Sequence, residues 1–139
     1  MTHRPRILIA DDLPVNRTLL EYFLNKYGDC QFATTGLEVL SAFDQGHETS
    51  QPLDLIMLDI MMPEMDGQEA LSVIRKKEQE MGLRQNQEVS VIMVTSLGDW
   101  DNALAGFKKG VLEYVVKPIK ESKLRKSLNE MGFHAIEQP

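Results

Sequence analysis

The sequence has little cysteine, a minority of positive charge and no long apolar run, and each shortage excludes a class of protein. Cys30 is the only cysteine among 139 residues, so no internal disulfide can form, which is typical of the reducing cytoplasm. No apolar stretch approaches the roughly 18 residues that a membrane-spanning helix needs. The apolar run after "MTHRPR" leads into acids, where a signal peptide would have small residues at its cleavage site. We therefore expect a cytoplasmic protein without membrane insertion.

The charge balance and the composition indicate a single globular domain that does not bind nucleic acid. Lys and Arg number 15 against 21 Asp and Glu, a net charge of −6, whereas a protein that binds the phosphate backbone needs clustered excess positive charge. Hydrophobic residues at 42% and charged residues at 26% are enough to form one core. We predict one domain over residues 1–132 and a short C-terminal tail over 133–139.

Short apolar runs alternate along the chain with segments of helical periodicity. The five runs lie at 7–10, 30–33, 53–58, 89–94 and 114–116. The helical stripes between and after them are formed by Val15, Leu19, Phe23 and Tyr27, widened by Leu20 and Leu24; by Leu37, Leu40 and Phe43; by Ala70, Leu71 and Ile74; by Ala103, Leu104 and Phe107; and by Leu124, Leu128 and Met131. Continuous apolar strands that alternate with helices predict an α/β fold whose parallel sheet is covered on both faces.

Four of the five predicted strands end in a side chain that can carry chemistry. Asp11 and Asp12 follow the first strand, Asp59 ends the third, Thr95 ends the fourth and Lys117 follows the fifth. In an open parallel sheet the carboxyl ends of all strands lie at one edge, where ligands bind. We therefore expect these five side chains to meet, and we interpret Asp59 as a functional residue rather than a strand terminator.

The types of these residues indicate their chemistry. Carboxylates that lie close together repel one another unless one is protonated or a cation lies among them. Oxygen ligands that leave room for water and phosphate favour Mg²⁺ over Ca²⁺. Mg²⁺, the Lys117 ammonium and the Thr95 hydroxyl together would bind a phosphoryl group. Asp59 is then a nucleophile that forms an aspartyl phosphate.

Four motifs together resemble a known family. "ILIADD" (7–12), "LIMLDIMMPEMDG" (55–67), "VIMVTS" (91–96) and "EYVVKP" (113–118) are similar to the receiver domain of bacterial two-component response regulators, over about residues 5–131. The resemblance implies a flavodoxin-like (βα)5 fold with strand order 2-1-3-4-5. It also implies a Mg²⁺-dependent phosphoacceptor, a signalling domain rather than an enzyme, which takes its phosphate from a sensor histidine kinase or a histidine phosphotransfer protein.

The resemblance also implies a role for each site residue. The roles are Asp59 as phosphoacceptor, Asp12 as a direct metal ligand, Asp11 as a metal-site acid acting mostly through water, the Met61 backbone carbonyl as a further metal ligand, Thr95 and Lys117 as binders of the phosphoryl oxygens, and Lys117–Pro118 as a cis peptide. Tyr114 matches the switch aromatic, which packs inward when Thr95 moves toward the phosphate. Ser96 and Val111 stand where the family often has alanine, which bears on the details of the switch. Output is expected through the surface of helix 4, strand 5 and helix 5, toward a downstream protein or an additional output domain; the printed chain holds no such domain.

Simpler interpretations exist for several of these residues. Asp12 suits the N-terminal cap of the first helix, either instead of or in addition to binding metal. Asp66 and Gly67 suit the start of the third helix. Tyr114 is also explained as a half-buried strand aromatic, and Trp100 as a packing or surface residue. The basic residues of the last helix are most simply its solvated face.

Three other functions fit the pattern less well. A phosphatase of the haloacid dehalogenase type would need an acid at position 61, where this chain has methionine. A flavodoxin would need a Ser/Thr/Gly-rich phosphate loop after the first strand. A receiver-like interaction module that works without phosphorylation is the alternative we retain, although such modules usually lack one of the acids or the lysine.

Two side chains bear on how long a phosphate would persist. In the family that this chain resembles, the residues two positions beyond the acceptor and beyond the switch hydroxyl flank the path of the hydrolytic water. Here they are Met61 and Leu97, neither of which can orient or deprotonate water. We therefore expect slow self-dephosphorylation.

Overall fold

The computed structural model describes residues 4–96 and 113–136. Five strands form one sheet, and all of its pairings are parallel, in the order β2-β1-β3-β4-β5. The strands are β1 (Arg6–Ala10), β2 (Asp29–Ala33), β3 (Leu55–Asp59), β4 (Ser90–Thr95) and β5 (Glu113–Val116). The predicted fold class and strand order are confirmed.

Four α-helices lie within the described residues. They are α1 (Pro14–Leu24), α2 (Gly36–Glu48), α3 (Gly67–Glu80) and α4 (Glu121–Glu130), with a short 3-10 helix at Gln85–Gln87. Helix α4 corresponds to the fifth predicted helix, because the fourth one, predicted around 103–107, lies outside the described residues together with Leu97, Trp100 and Val111. None of the described helices is long and apolar enough to cross a lipid bilayer.

The helices cover both faces of the sheet and enclose two apolar clusters. On one face the buried helix residues are Val39 and Phe43 of α2 and Ala70, Leu71 and Ile74 of α3. On the other face they are Leu20 and Leu24 of α1 and Leu124 and Leu128 of α4. Strands β1, β3 and β4 lie in the middle of the sheet and supply apolar side chains to both clusters, which explains why their sequences are apolar without alternation.

The apolar stripe predicted for α1 is wrong at two of its positions. Val15 is 72% exposed and Leu19 is also exposed, whereas Leu20 and Leu24 are buried against the sheet. A surface helix buries only one face, and the packing on β1 selects the face that carries Leu20 and Leu24. Leu37, predicted for the stripe of α2, is exposed for the same reason.

The chain continues to pack beyond residue 132, where we predicted the domain to end. Phe133 lies against the second apolar cluster, and its N–H donates to the Leu128 carbonyl at 2.8 Å. The Ile136 N–H donates to the Lys26 carbonyl at 2.6 Å. The residues up to 136 therefore cover the end of α4 rather than projecting from it.

Candidate functional site

The buried carboxylate of Asp59 forms an ion pair with the half-buried Lys117 at the carboxyl edge of the sheet. Asp59 is the last residue of β3 and is 3% exposed. Lys117 directly follows β5, and its Nζ donates to Asp59 Oδ2 at 2.9 Å. The Met61 N–H donates to the other oxygen, Asp59 Oδ1, at 3.1 Å. Within the described part of the chain, each carboxylate oxygen of Asp59 therefore has a hydrogen-bond donor.

Asp11 lies beside this pair and is fully buried. Its Oδ1 accepts the Leu13 N–H at 2.9 Å. Its Oδ2 lies 3.6 Å from Lys117 Nζ, which is an ion-pair distance but too long for a hydrogen bond, and no donor among the described residues reaches it. A buried carboxylate oxygen without a donor is costly. The Oδ2 atom of Asp11 is therefore suited to bind a cation.

Asp12 completes an acidic cluster with Asp11 and Asp59, in which one carboxylate oxygen of each residue lies within 4.8 Å of the others. Asp12 is exposed, while the other two acids are buried. The interpretation of Asp12 as the helix cap is wrong: the N-cap of α1 is Leu13, with no side-chain cap hydrogen bond, and it is Asp11 that accepts the Leu13 N–H.

Burial and neighbouring charges shift the pKa values of Asp59 and Lys117. Burial raises the pKa of Asp59 to about 6, against the lowering effect of the Lys117 hydrogen bond and with a further rise from the Asp11 charge. Burial lowers the pKa of Lys117, but the hydrogen bond and the charge of Asp59, together with Asp11, outweigh it and raise the pKa overall. One lysine therefore does not compensate the negative charge of the cluster.

The donor set fits a hard divalent cation. The three acids offer only oxygen ligands, one of them exposed and open to solvent, which is the pattern that Mg²⁺ uses when it keeps several waters. Among these oxygens, Oδ2 of Asp11 has no hydrogen-bond donor within the described residues, so it is available to bind the ion. Met61 lies next to the cluster through its N–H contact with Asp59. Asp11, Asp12 and Asp59 are therefore the groups that could hold the ion, and the Met61 carbonyl stays a prediction.

Thr95 and Tyr114 lie on the neighbouring strands. Thr95 ends β4 and is buried, and its Oγ1 donates to the Ser96 carbonyl at 3.2 Å. The Lys117 N–H donates to the Thr95 carbonyl at 2.6 Å, which joins the ends of β4 and β5. Tyr114 packs partly buried against the first apolar cluster, and burial raises its pKa. The Lys117–Pro118 peptide bond is cis.

The segment that links β3 to α3 is built by tight backbone contacts. Asp66 is the N-cap of α3, and its Oδ1 accepts the Glu69 N–H at 2.8 Å, as the helix-start interpretation predicted. The Gly67 N–H donates to the Ile60 carbonyl at 2.9 Å, and a Cβ at Gly67 would lie 2.3 Å from the Asp59 carbonyl oxygen. Glycine is therefore required where α3 begins beside the site.

Sequence reasoning missed Arg17, whose Nη1 donates to the Asp11 carbonyl at 2.7 Å. This bond ties the second turn of α1 to the acidic pair. One feature of the sequence could have indicated this contact. Arg17 follows the two adjacent acids by about one and a half helical turns, on the face of α1 that lies toward the end of β1.

Comparison with known proteins agrees with the fold. The family model of the response regulator receiver domain matches residues 7–129. The chain therefore belongs to the response regulator receiver domain family.

Curated relatives place this domain in larger proteins. The transcriptional regulatory protein AruR of Pseudomonas aeruginosa is 32% identical over 121 residues, which is 86% of this chain and 46% of that protein. The sensor histidine kinase GacS of Pseudomonas protegens is 31% identical, over 86% of this chain and 12% of that protein. The chain thus spans less than half the length of these relatives.

Solved structures show the same fold. A chain in the co-crystal structure of the Saccharomyces cerevisiae histidine phosphotransfer signaling protein Ypd1 and the receiver domain of its downstream response regulator Ssk1 matches with a TM-score of 0.80 and 25% identity, over 95% of this chain and 91% of that one. A response regulator receiver domain protein from Clostridium thermocellum matches with a TM-score of 0.73 and 27% identity, over 91% and 92% of the two chains.

Proposed function

We propose that this chain accepts a phosphoryl group on Asp59 from the phosphohistidine of a sensor histidine kinase or a histidine phosphotransfer protein. The observation that carries the proposal is the buried Asp59 carboxylate, paired with Lys117 at 2.9 Å inside a cluster of three acids. Membership of the receiver family supports the same chemistry. The family members named above include a sensor kinase and a transcriptional regulator.

The reaction is a direct phosphoryl transfer. A carboxylate oxygen of Asp59 forms a bond to phosphorus, the phosphorus–nitrogen bond of the donor breaks, and its electron pair returns to the imidazole ring. The product is an acyl phosphate on Asp59. The Lys117 ammonium, already held at the carboxylate, neutralises the phosphoryl oxygens as they approach. The hydroxyl of Thr95, at the end of the neighbouring strand β4, donates to another phosphoryl oxygen.

The site requires a divalent cation to complete its charge balance. Asp11, Asp12, Asp59 and the Met61 carbonyl would hold Mg²⁺, which when bound supplies positive charge to the phosphoryl oxygens. The excess of carboxylates over Lys117 and the vacant Oδ2 of Asp11 support this assignment. Without the cation, the negative phosphoryl group would enter a cluster whose three acids already repel one another.

Phosphorylation changes the partner of the Thr95 hydroxyl. In the present state Thr95 Oγ1 donates to the Ser96 carbonyl, and a phosphoryl oxygen on Asp59 is a stronger, charged acceptor. Movement of Thr95 vacates space for Tyr114, which changes the surface of the predicted fourth helix, β5 and α4. That surface then binds a downstream protein or output domain.

The single, half-buried cysteine supports a cytoplasmic setting for this relay.

The aspartyl phosphate is expected to persist. The Met61 side chain is 57% exposed beside Asp59 and has no group that activates water. Leu97, the other residue predicted to flank the path of the hydrolytic water, lies outside the described residues. Slow hydrolysis would make removal of the phosphate depend on transfer back to a partner.

The decisive experiment compares two carboxylates of the same strand region. Purified wild-type protein, Asp59→Asn and Asp54→Asn are incubated with Mg²⁺ and a small phosphodonor, and intact mass is measured over time. Asp54 lies just before β3, at the opposite edge, where it accepts the Arg6 N–H at 2.7 Å. We expect one phosphoryl group on the wild type and on Asp54→Asn, and none on Asp59→Asn.

Two outcomes contradict the proposal. Equal labelling of Asp59→Asn would remove Asp59 as the acceptor. Failure of the folded wild type to accept phosphate from a small donor and from a phosphorylated histidine phosphotransfer protein would favour the phosphorylation-independent interaction module.

A further inference from the structure

Gly36 contacts the segment that follows Asp59, although the two are far apart in sequence. Gly36 is the first residue of α2, and its N–H donates to the Met65 carbonyl at 3.0 Å. The first N–H groups of a helix have no partner within the helix, so the Met65 carbonyl satisfies one of them. The approach is close: a Cβ at Gly36 would lie 2.2 Å from the Met65 oxygen and 2.7 Å from the Met65 Cβ.

The segment that Gly36 holds, residues 60–66, is the β3–α3 loop. It is a compact turn, because the Met65 N–H donates to the Pro63 carbonyl at 2.8 Å and Met62 is buried in the first apolar cluster. Glu64 adopts a left-handed conformation with φ of 69°, which a residue with a side chain keeps only when its surroundings impose it. The contact between Gly36 and Met65 lies next to Glu64 and holds this part of the loop against the N-terminus of α2.

Displacement of the loop would reach the site. Met61 is the second residue of the loop, and its N–H donates to Asp59 Oδ1 at 3.1 Å. A side chain at Gly36 would have to push the Met65 carbonyl outward, since contacts below 3.0 Å do not occur for real Cβ atoms. The turn through Pro63 and the buried Met62 would transmit this shift toward Met61.

We propose that Gly36 is a positioning residue for the phosphoryl-acceptor site: its missing side chain lets the β3–α3 loop seat on the N-terminus of α2, which sets the Met61 backbone beside Asp59. The inference rests on the proposed function, since it concerns the same metal- and phosphate-binding groups. Gly36 touches neither group and acts through the loop.

The chain offers a matched control for the steric effect. A Cβ at Gly28 would lie 2.3 Å from the Pro5 carbonyl oxygen, which is as tight as at Gly36, but Gly28 lies where β2 begins, at the opposite edge of the sheet. Gly28→Ala and Gly36→Ala should therefore both destabilise the fold. Only Gly36→Ala should disturb the acidic cluster.

The first measurement is the Mg²⁺ dissociation constant, taken from amide chemical shifts under conditions where urea denaturation shows each variant to be folded. Loss of a group that orients metal ligands typically weakens binding about 10–100-fold, and we expect this for Gly36→Ala. Gly28→Ala should bind within about twofold of the wild type, because stability away from the ligands does not alter affinity. In the metal-free state, the Met61 amide shift should move in Gly36→Ala alone.

The second measurement uses the wild type and does not depend on a variant folding. If opening of the Gly36–Met65 bond releases the loop and with it the cation, Mg²⁺ must slow hydrogen exchange of the Gly36 amide. At ten times the dissociation constant we expect about tenfold slower exchange. The Gly28 amide donates to the Leu24 carbonyl at 3.2 Å. Under conditions where it exchanges by local opening rather than by global unfolding, its rate should be unchanged.

The outcomes separate this inference from the proposed function. Wild-type affinity in folded Gly36→Ala, or equal Mg²⁺ protection of the Gly28 and Gly36 amides, would overturn the positioning role while leaving the acceptor site intact. A wild type that neither binds Mg²⁺ nor takes up phosphate would overturn the proposed function itself.

Discussion

At the scale of single residues, Asp59 combines properties that most carboxylates keep apart. It is buried, it is paired with a lysine and it lies beside a second buried acid, Asp11. Burial and the neighbouring acid disfavour its charge, while Lys117 favours it, and burial prevails. The ionised carboxylate is therefore less stable in the folded protein than in water. Binding of a cation or formation of the aspartyl phosphate would offset this cost.

The raised pKa of Asp59 predicts a pH-dependent stability in metal-free protein. An acid with a higher pKa in the folded state binds protons more tightly there, so its contribution is largest at acidic pH. That contribution falls as pH rises from the ordinary 3.8 toward about 6. The loss amounts to about 2–3 kcal/mol at neutral pH, from roughly 1.4 kcal/mol per pKa unit. Asp59→Asn should therefore be more stable than the wild type at pH 7.5, and by a much smaller margin at pH 4.5.

Urea denaturation in the presence of a chelator at the two pH values measures this difference. Asp54→Asn serves as the control for loss of a carboxylate from the other edge of the sheet, and its stability relative to wild type should not improve at pH 7.5. An Asp59→Asn variant less stable than the wild type at pH 7.5 would show that the Lys117 ion pair outweighs burial.

At the scale of the elements, α3 carries a buried charge that its sequence does not reveal. Glu78 is fully buried, and its two oxygens accept from Arg75 Nη1 and from the Val89 N–H, both at 2.7 Å. Arg75 Nη1 also donates to the Val89 carbonyl at 2.9 Å. This network joins the last turns of α3 to the residue before β4, the strand that delivers Thr95 to the site.

Removal of Glu78 should destabilise the fold strongly. Glu78→Ala leaves the Val89 N–H without its acceptor and removes the carboxylate that pairs with the Arg75 guanidinium, and breaking a buried pair costs about 3–5 kcal/mol. Glu80→Ala, on the exposed side of the same helix, should stay within about 0.5 kcal/mol of the wild type. Equilibrium unfolding in urea compares them, and equal stability of the two variants would mean that water replaces the glutamate without loss.

At the scale of the whole molecule, the sheet brings together site residues that are far apart in the sequence. Register pairs Ala10 with Leu58 and Asp59 with Val94, so the ends of β1, β3 and β4 are level. Because the cluster exists only in the folded chain, any cation that binds it stabilises folding. Stability as a function of Mg²⁺ therefore reports the intact arrangement of the ends of β1 and β3.

The stabilisation by Mg²⁺ should depend on Asp12. The wild type should gain about 1.4 kcal/mol at ten times its dissociation constant, and Asp12→Ala should lose most of this gain. Since Asp12 is exposed and is not the cap of α1, the metal-free variant should be equal to the wild type or up to about 0.5 kcal/mol more stable, as repulsion is relieved.

Glu48→Ala is the control, an exposed acid at the far end of α2. It should retain the full stabilisation by Mg²⁺ in urea denaturation. The same stabilisation in Asp12→Ala would remove Asp12 from the metal site.

The sequence by itself determined the alternation of strands and helices, the parallel sheet and the edge at which Asp11, Asp59 and Lys117 meet. These features are local or follow from topology: an apolar run specifies a buried strand, and parallel strands end on the same side. The cap at Asp66 was likewise predictable, because its partner, Glu69, lies three residues away.

Only the tertiary structure decided which of several possible contacts each residue makes. It buried Leu20 and Leu24 instead of Val15, because the packing of α1 on the sheet, rather than its periodicity, selects the inner face. It directed the Leu13 N–H to Asp11 instead of Asp12. It also brought Gly36 to Met65, and these contacts depend on where separate segments meet in space, which no local pattern encodes.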